Sequence, residues 1–284
     1  MKNRLFINLL LLVAIAALFF YLNKSEVQTA YKHTMSSIEA AAINTIVIDR
    51  HNRESIQLVK KKIGWQIIQP INAKANDVRI SLILDILSSD SQSSFTPTSS
   101  NDLSQFGLDP ASISLTLNKE QFQFGNIEAL NKLRYIEHNG VIHLVKDTLA
   151  PLLNASAASF IDNRIIATGL QISSLELPLE SNSHKFIMSL ANGHWTSNNT
   201  KLSSDDLVEL ASSWQQAYAM QVVPINNQKV SGRKVVINYT DASSSEFILG
   251  QSDSNLSLVN LETGLNYLFP AATKHQLLAP IESD

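Results

Sequence analysis

The order of strand-like and helix-like segments occurs twice along these 284 residues, and this repeat limits the folds that the chain can adopt. Gly125 precedes Ile142 by 17 residues. Gly250 precedes Tyr267 by the same 17 residues. A pair of leucines follows each glycine by 27 and 28 residues. The matching order and spacing predict a duplicated unit.

Each copy is predicted to contain strands, one main helix, further strands and a short closing helix. Apolar residues in near alternation, as at 43–48, indicate strands. The first main helix is expected to begin at Asn76 or Asp77 and the second near Ser203 or Ser204, because these side chains cap helices. The apolar face of the first helix is predicted to comprise Val78, Leu82, Ile83, Ile86 and Leu87.

The fold class that follows is α+β, with two similar lobes built mainly from antiparallel sheet. We expect the first lobe to cover residues 43–166 and the second to cover 167–284. Two similar lobes in one chain suggest a pseudo-symmetric groove between them. The polar residues 162–164 would then form a hinge between the lobes.

An apolar segment at residues 5–22 predicts a membrane-spanning helix before the lobes. Its one polar residue is Asn8, and it carries no charge. Eighteen helical residues reach about 27 Å, which is close to the roughly 30 Å hydrocarbon core of a bilayer. A cleaved secretory signal is the alternative, but the segment is longer than the usual apolar region and residues 27–30 make a poor cleavage site. We therefore expect an uncleaved anchor.

The charges around this segment predict its orientation. Lys2 and Arg4 precede it, which favours a cytoplasmic N-terminus. Residues 1–23 would form that short N-terminus and the anchor, and residues 24–42 a stalk or linker. The lobes would then lie in the periplasm, held at a bacterial inner membrane by a single span. The absence of cysteine excludes disulfides, thiol chemistry and a lipidated N-terminal cysteine.

The sequence carries no motif for a nucleotide, a cofactor or a metal. Its 22 basic and 25 acidic residues give no electrostatic basis for binding nucleic acid. The nine glycines form neither a dinucleotide fingerprint nor a phosphate loop, and a Gly-x-Ser-x-Gly elbow is missing. His138 and His143 flank a predicted hairpin turn with Glu137 nearby, but their spacing favours ordinary strand histidines over metal ligands.

Several short motifs in the first copy resemble a known bacterial family. They are Gly64-Trp65-Gln66-Ile67-Ile68-Gln69-Pro70, Phe106-Gly107-Leu108-Asp109-Pro110, Phe122-x-Phe124-Gly125, Tyr135 and the strand at 141–145. Their order and spacing over about residues 43–166 resemble domain of unknown function 4340, and a divergent copy is expected to cover the rest. The resemblance implies membrane-anchored envelope proteins, some encoded beside ABC-transporter components of the gliding-motility type. It brings no set of catalytic residues.

Four residues are candidates for a binding surface: Trp65, Trp195, Phe106 and Arg164. Each tryptophan follows a glycine in its copy, which favours a role as a core anchor over a ligand platform. Phe106 lies in a loop that is expected to plug the lobe. Arg164 belongs to the predicted hinge.

The leading hypothesis is a non-enzymatic envelope module that presents strand edges or the interlobe groove to a protein partner. An ABC-type membrane complex is the candidate partner. A module that binds cell wall or glycan through groove aromatics is the first alternative. A hydrolase assembled from scattered serine, histidine and aspartate residues is the second.

Overall fold

The computed structural model describes residues 12–15, 34–98, 103–179, 185–225, 230–250 and 255–282. The predicted span lies outside these ranges except for residues 12–15, which are helical. Within the described ranges, no helix is both long enough and apolar enough to cross a membrane.

The first sheet has nine strands in the described part of the chain. They are β1 (Thr45–Arg50), β2 (Ile56–Lys61), β3 (Gly64–Gln69), β4 (Ala73–Lys74), β5 (Ser93–Phe95), β6 (Ile113–Leu117), β7 (Glu120–Ile127), β8 (Leu133–His138) and β9 (Val141–Lys146). Their order in the sheet is β4-β3-β2-β1-β6-β7-β8-β9-β5. All neighbours are antiparallel. Alternate residues are buried, as in β6, so one face of the sheet forms the core.

The second sheet has eight strands in the described ranges. They are β10 (Ile172–Pro178), β11 (Lys185–Ala191), β12 (His194–Ser197), β13 (Gln221–Pro224), β14 (Arg233–Tyr239), β15 (Ser244–Gly250), β16 (Leu256–Asn260) and β17 (Leu265–Phe269). Their order is β12-β11-β10-β14-β15-β16-β17-β13, and all neighbours are antiparallel.

The two sheets share one topology. If β10 is matched to β1, the second order reproduces the first strand by strand, except that β4 has no counterpart. The α+β class, the two lobes and their mainly antiparallel sheets are therefore confirmed. The exact limits of the predicted domains remain predictions.

The last hairpins of the two sheets differ in register. The turn between β8 and β9 contains two residues, whereas residues 261–264 form a longer turn between β16 and β17. As a result, Ile142 pairs with Phe95 on the face away from the core, while Tyr267 packs inside the core. Side chains alternate across a strand, so a shift of one residue exchanges the faces. The equal 17-residue spacings therefore indicate the repeat, but Ile142 and Tyr267 are not structurally equivalent residues.

Four helices complete the description of the lobes: α1 (Asp77–Leu84), α2 (Ala150–Leu153), α3 (Ser204–Gln215) and α4 (Ala271–Glu282). Both predicted helix starts are confirmed. Asn76 caps α1 by accepting a hydrogen bond from the Arg79 backbone N–H at 3.1 Å. Ser203 caps α3 in a reciprocal capping box with Asp206.

The predicted apolar face of α1 is wrong at two positions. Val78 is 71% exposed and Leu82 is 50% exposed, whereas Ile80 and Ile83 are buried. The helix has only eight residues and continues into a 3-10 turn at Asp85–Ser88. Five of its eight residues are apolar and the turn adds two more, so the spacing alone could not select the buried set.

Part of the predicted stalk packs against the first lobe. Met35 is 5% exposed and belongs to the core, and Ile38 packs against that core. Thr34 also forms an isolated backbone bridge with Asp90. The described residues from 34 onward thus belong structurally to the lobe.

Candidate functional site at the interlobe junction

The segment that connects the two lobes is hydrogen-bonded on both sides. Toward the first lobe, the Asp162 N–H donates to the Lys74 carbonyl at 2.8 Å. Toward the second, the Ala219 N–H donates to the Asn163 carbonyl at 2.8 Å, and the Asn163 side-chain amide donates back to the Ala219 carbonyl at 3.0 Å. The connector therefore lies between the β4 edge of one sheet and the approach to β13 in the other.

Three charged side chains meet on this connector. Asp162 is 5% exposed, and Arg164 donates to its carboxylate through Nε at 2.9 Å and Nη2 at 2.7 Å. Lys74 Nζ lies 3.5 Å from the same carboxylate. The hydrogen bonds to Asp162 raise the pKa of Arg164 above its usual value. A buried carboxylate needs such compensation, so the three side chains fix the backbone of the junction.

A cleft of about 190 Å³ opens beside the connector. Its lining comes from α1, from the connector and from β13 with the residues that precede it, and includes Asn76, Arg79, Ser159, Asn163, Met220 and Gln221. Amide and hydroxyl groups dominate this lining. The cleft therefore offers hydrogen-bonding groups from both lobes to whatever enters it.

Arg79 is the charged residue of the lining. Its side chain is half-buried, and the guanidinium makes no hydrogen bond or ion pair with any other described residue. Other arginines of the first lobe are engaged: Arg50 donates to the Ala155 carbonyl at 2.5 Å, and Arg53 donates to the Asn154 carbonyl at 2.7 Å. The free guanidinium thus distinguishes the cleft.

The second lobe contributes an exposed apolar side to the cleft. Met220 lines the cleft and is 65% exposed. Tyr218 is 58% exposed, and its backbone bridges to Arg164 in the connector. Large exposed side chains beside a polar cleft are typical of protein-interaction surfaces.

The structure does not bring the four predicted site residues together. Trp65, at 7% exposed, packs in the core of the first lobe. Trp195 is half-buried on β12, at an outer edge of the second sheet. Phe106 contacts Phe95 and Tyr135 far along the first sheet from β4. Of the four, only Arg164 lies at the junction.

Phe106 belongs to a small aromatic cluster on the outer face of the first sheet. Its ring centroid lies 5.3 Å from that of Phe95 and 4.8 Å from that of Tyr135. The loop carrying it approaches β7 closely, because a Cβ at Gly125 would stand 2.3 Å from the Phe106 carbonyl oxygen. Glycine is therefore required at position 125, and Phe95 remains 38% exposed at the cluster's edge.

The two turn-flanking histidines have separate partners. His138 stacks on Phe122 with centroids 4.2 Å apart, and its Nδ1 lies 2.9 Å from the Gln121 carbonyl oxygen. His143 Nδ1 lies 3.1 Å from Ser91 Oγ. Among the described residues, no group of three or more histidine, cysteine or acidic side chains is placed to hold a metal ion.

A further depression of about 250 Å³ lies on the second sheet. Lys234 and Glu246 line it and form an ion pair at 2.6 Å. Both side chains are half exposed, so the pair contributes little to stability. Unlike the interlobe cleft, this depression combines residues of one lobe alone.

Arg164, a candidate from the sequence, lies at the junction, whereas Arg79 was not among the candidates. One signal was present in the sequence: no acidic residue stands three or four positions from Arg79 on α1. An arginine without a helical partner needs another counterion. The cleft forms at the start of α1 because of the way the two lobes pack, and the sequence did not reveal that packing.

Comparison with protein-family models gives a match to this chain. The family model described as a domain of unknown function (DUF4340) matches residues 65–246. No curated protein and no solved structure matches the chain. The matched region begins within β3, crosses the connector and ends within β15. It thus covers most of the expected 43–166 and extends into the second lobe, where a divergent copy was expected. The chain belongs to the DUF4340 family.

Proposed function

We propose that this chain is a non-enzymatic, membrane-anchored envelope protein that binds a segment of a protein partner in the interlobe cleft. The observation that carries the proposal is the cleft itself, which combines polar groups of both lobes with the exposed side chain of Met220. The size, the rim and the rigidity of the cleft support the same conclusion.

The size of the cleft favours a peptide segment over a free small molecule. Ligand pockets usually enclose roughly 300–1,000 Å³. At about 190 Å³, this cleft holds one or two side chains. A partner segment can place a side chain there while the rest of its contacts lie on the surrounding surface.

The rim supplies the side-chain types that dominate protein interfaces. Methionine adapts to different partners, and tyrosine offers a large apolar surface with a hydroxyl. The amide and hydroxyl groups of Asn76, Ser159 and Gln221 are suited to pair with the backbone of an extended segment. Polar and apolar contacts therefore stand side by side.

The junction is also organised before a partner binds. Backbone hydrogen bonds on both sides of the connector and the Asp162–Arg164 pair hold the cleft walls together. A preformed site loses less conformational entropy on binding. This supports a role in specific recognition.

The proposed location rests on the sequence. The apolar segment 5–22 would anchor the chain in a bacterial inner membrane, with the lobes in the periplasm. An ABC-type membrane complex, suggested by the family resemblance, is the candidate partner. A partner in the same membrane would meet the tethered cleft at a high effective concentration.

Photocrosslinking in intact cells tests the proposal. A photoreactive residue replaces Met220 in the full chain, and the same residue replaces Leu130 as a control. Leu130 is 87% exposed and lies in the β7–β8 loop, outside the cleft. We expect position 220 to capture a defined envelope protein that position 130 does not. The same captured proteins from both positions would contradict the proposal.

Binding to cell-wall glycan is a second candidate, favoured by the cluster of Phe95, Phe106 and Tyr135. Partly exposed aromatic faces can stack on sugar rings. Sedimentation with purified peptidoglycan would test it, with Phe95→Ala as the variant because Phe95 is the most exposed of the three. Equal sedimentation of the variant and the unmodified chain would exclude this role for the cluster.

A further inference from the structure

The free guanidinium in the cleft indicates what a partner segment carries. Arg79 is half-buried and without an ion pair among the described residues, although it lines a cleft rich in polar groups. We propose that Arg79 binds a carboxylate of the partner segment that enters the interlobe cleft. This inference rests on the function proposed above and adds the chemical class of the recognised group.

Asp162 on the connector and Asp77 on α1 do not supply a counterion for Arg79. Asp162 is held by Arg164 at 2.7 Å and by Lys74 at 3.5 Å. Asp77 stands two positions before Arg79 on α1, and residues at that spacing point to different sides of a helix. Its carboxylate instead lies beside Gly64, where a Cβ would stand 3.3 Å from Asp77 Oδ1. The guanidinium therefore remains available within the described structure.

The surroundings of Arg79 suit a carboxylate on a short aliphatic stem. Arginine presents a planar fork that matches the two oxygens of a carboxylate. Ala158 and Ile161 line the same cleft and can contact the stem, and Met220 lines the cleft from the second lobe. The start of α1, capped by Asn76, also favours negative charge nearby.

Two parts of a protein partner carry this chemistry: an acidic side chain and a free C-terminal carboxylate. A peptide titration distinguishes them. The probes are acetyl-Ala-Glu-Ala-amide, acetyl-Ala-Gln-Ala-amide and acetyl-Ala-Ala-Ala with a free C-terminus. The readout is the side-chain Nε–H resonance of Arg79 in the purified, isotope-labelled full chain, assigned by its loss in Arg79→Lys.

We expect a saturable shift of the Arg79 resonance with at least one carboxylate peptide and none with the glutamine peptide. The peptide that acts identifies the source of the carboxylate. In the control variant Arg233→Gln, the shift of the Arg79 resonance is expected to persist. Arg233 on β14 also lacks an ion pair among the described residues but lies outside the cleft. Equal shifts with the glutamine peptide, or no shift with either carboxylate, would overturn the inference.

Crosslinking from position 220 separates the two proposals. Arg79→Glu is expected to reduce capture of the partner at least about tenfold, whereas Arg233→Glu leaves capture unchanged. The crosslinked partner peptide should carry an acidic residue or the partner's C-terminus. Undiminished capture by Arg79→Glu contradicts the role of Arg79 and leaves the proposed function standing. A carboxylate-specific shift in the purified chain without capture in cells contradicts the proposed function and leaves the carboxylate site standing.

Discussion

The two lobes share a strand order but place their large aromatic anchor in different layers. In the first lobe, Trp65 on β3 is 7% exposed, and its side chain packs in the hydrophobic core. Its positional counterpart in the second lobe, Trp195 on β12, is only half-buried. There the fully buried tryptophan is Trp214 on α3, whose Nε1 donates to the Leu277 carbonyl at 3.2 Å. The space between sheet and helix must be filled, but either layer can fill it.

The closing helices differ in the same way. In the first lobe, Arg50 and Arg53 donate to the carbonyls of Ala155 and Asn154, which follow α2. In the second, the buried Trp214 makes the link to α4. The first lobe thus uses cations at its periphery, whereas the second relies on apolar volume. This difference predicts which substitutions each lobe tolerates.

The largest expected effect is that of Trp214→Ala. Removing a fully buried tryptophan leaves a cavity and an unpaired carbonyl, so the free energy of unfolding should fall by about 4 kcal/mol. Trp195→Ala, at the half-buried counterpart, should cost about 1 kcal/mol. Urea unfolding followed by far-ultraviolet circular dichroism measures both. Equal losses at the two positions would refute the assignment of Trp214 as the anchor.

A substitution at the junction is expected to lower the free energy of unfolding nearly as much as one in the core. Asp162→Ala leaves Arg164 and Lys74 without their shared carboxylate, and breaking a buried pair costs about 3 kcal/mol. Asp147→Ala is the comparison within the first lobe. Among the described residues, the Asp147 carboxylate forms an ion pair with a single cation, Arg134, at 2.7 Å, and it also accepts a hydrogen bond from the Ala150 N–H at 3.4 Å. We expect it to cost about 2 kcal/mol. A larger loss in Asp147→Ala, measured by the same unfolding assay, would argue against the importance of the junction.

Alkaline pH should weaken the second lobe through Tyr267. Burial raises the pKa of this tyrosine to about 12. The unfolded state ionises near its ordinary pKa of about 10, so the stabilisation is complete below pH 10 and is lost as the pH rises toward 12. At pH 11 the loss should be about 1 kcal/mol. Tyr267→Phe should remove this component from the pH dependence, and an unchanged slope would contradict the assignment.

The smallest expected effect concerns the exposed side of α1. Val78→Ser should change stability by less than about 0.5 kcal/mol, because Val78 is 71% exposed. Ile83→Ala on the buried side should cost about 3 kcal/mol. Thermal unfolding of both variants checks the orientation of the helix. A large loss of stability in Val78→Ser would instead support the buried helix face that the apolar spacing predicted.

The sequence was sufficient to predict the architecture, because the patterns that indicate strands and helix starts are local. Apolar alternation, the caps at Asn76 and Ser203, and the repeated spacings each depend on neighbouring residues. The face of α1 was not predictable, because Val78 and Ile80 both fit an apolar helix and only packing separates them. The register of the last hairpins was missed because a longer turn compensates for shorter strands.

The candidate site was predictable only in part. A polar hinge at 162–164 was visible, and the structure turns it into a connector paired with both lobes. The cleft required knowledge of which sheet edges meet, since β4 and β13 are far apart in the sequence. Trp65 and Trp195 were candidates because of their residue type and their matching positions, but their places on two different sheets follow from the strand order.

The central claim is that the connector holds the two lobes in one arrangement with the cleft preformed. The chain contains no cysteine, so spin labels can be attached at Leu130→Cys and Leu261→Cys, one exposed position in each lobe. Pulsed electron paramagnetic resonance on the full chain then reports the distance between the lobes. The account predicts one narrow distance distribution, which broadens in Asp162→Ala. A broad or two-peaked distribution in the chain with Asp162 intact would contradict it.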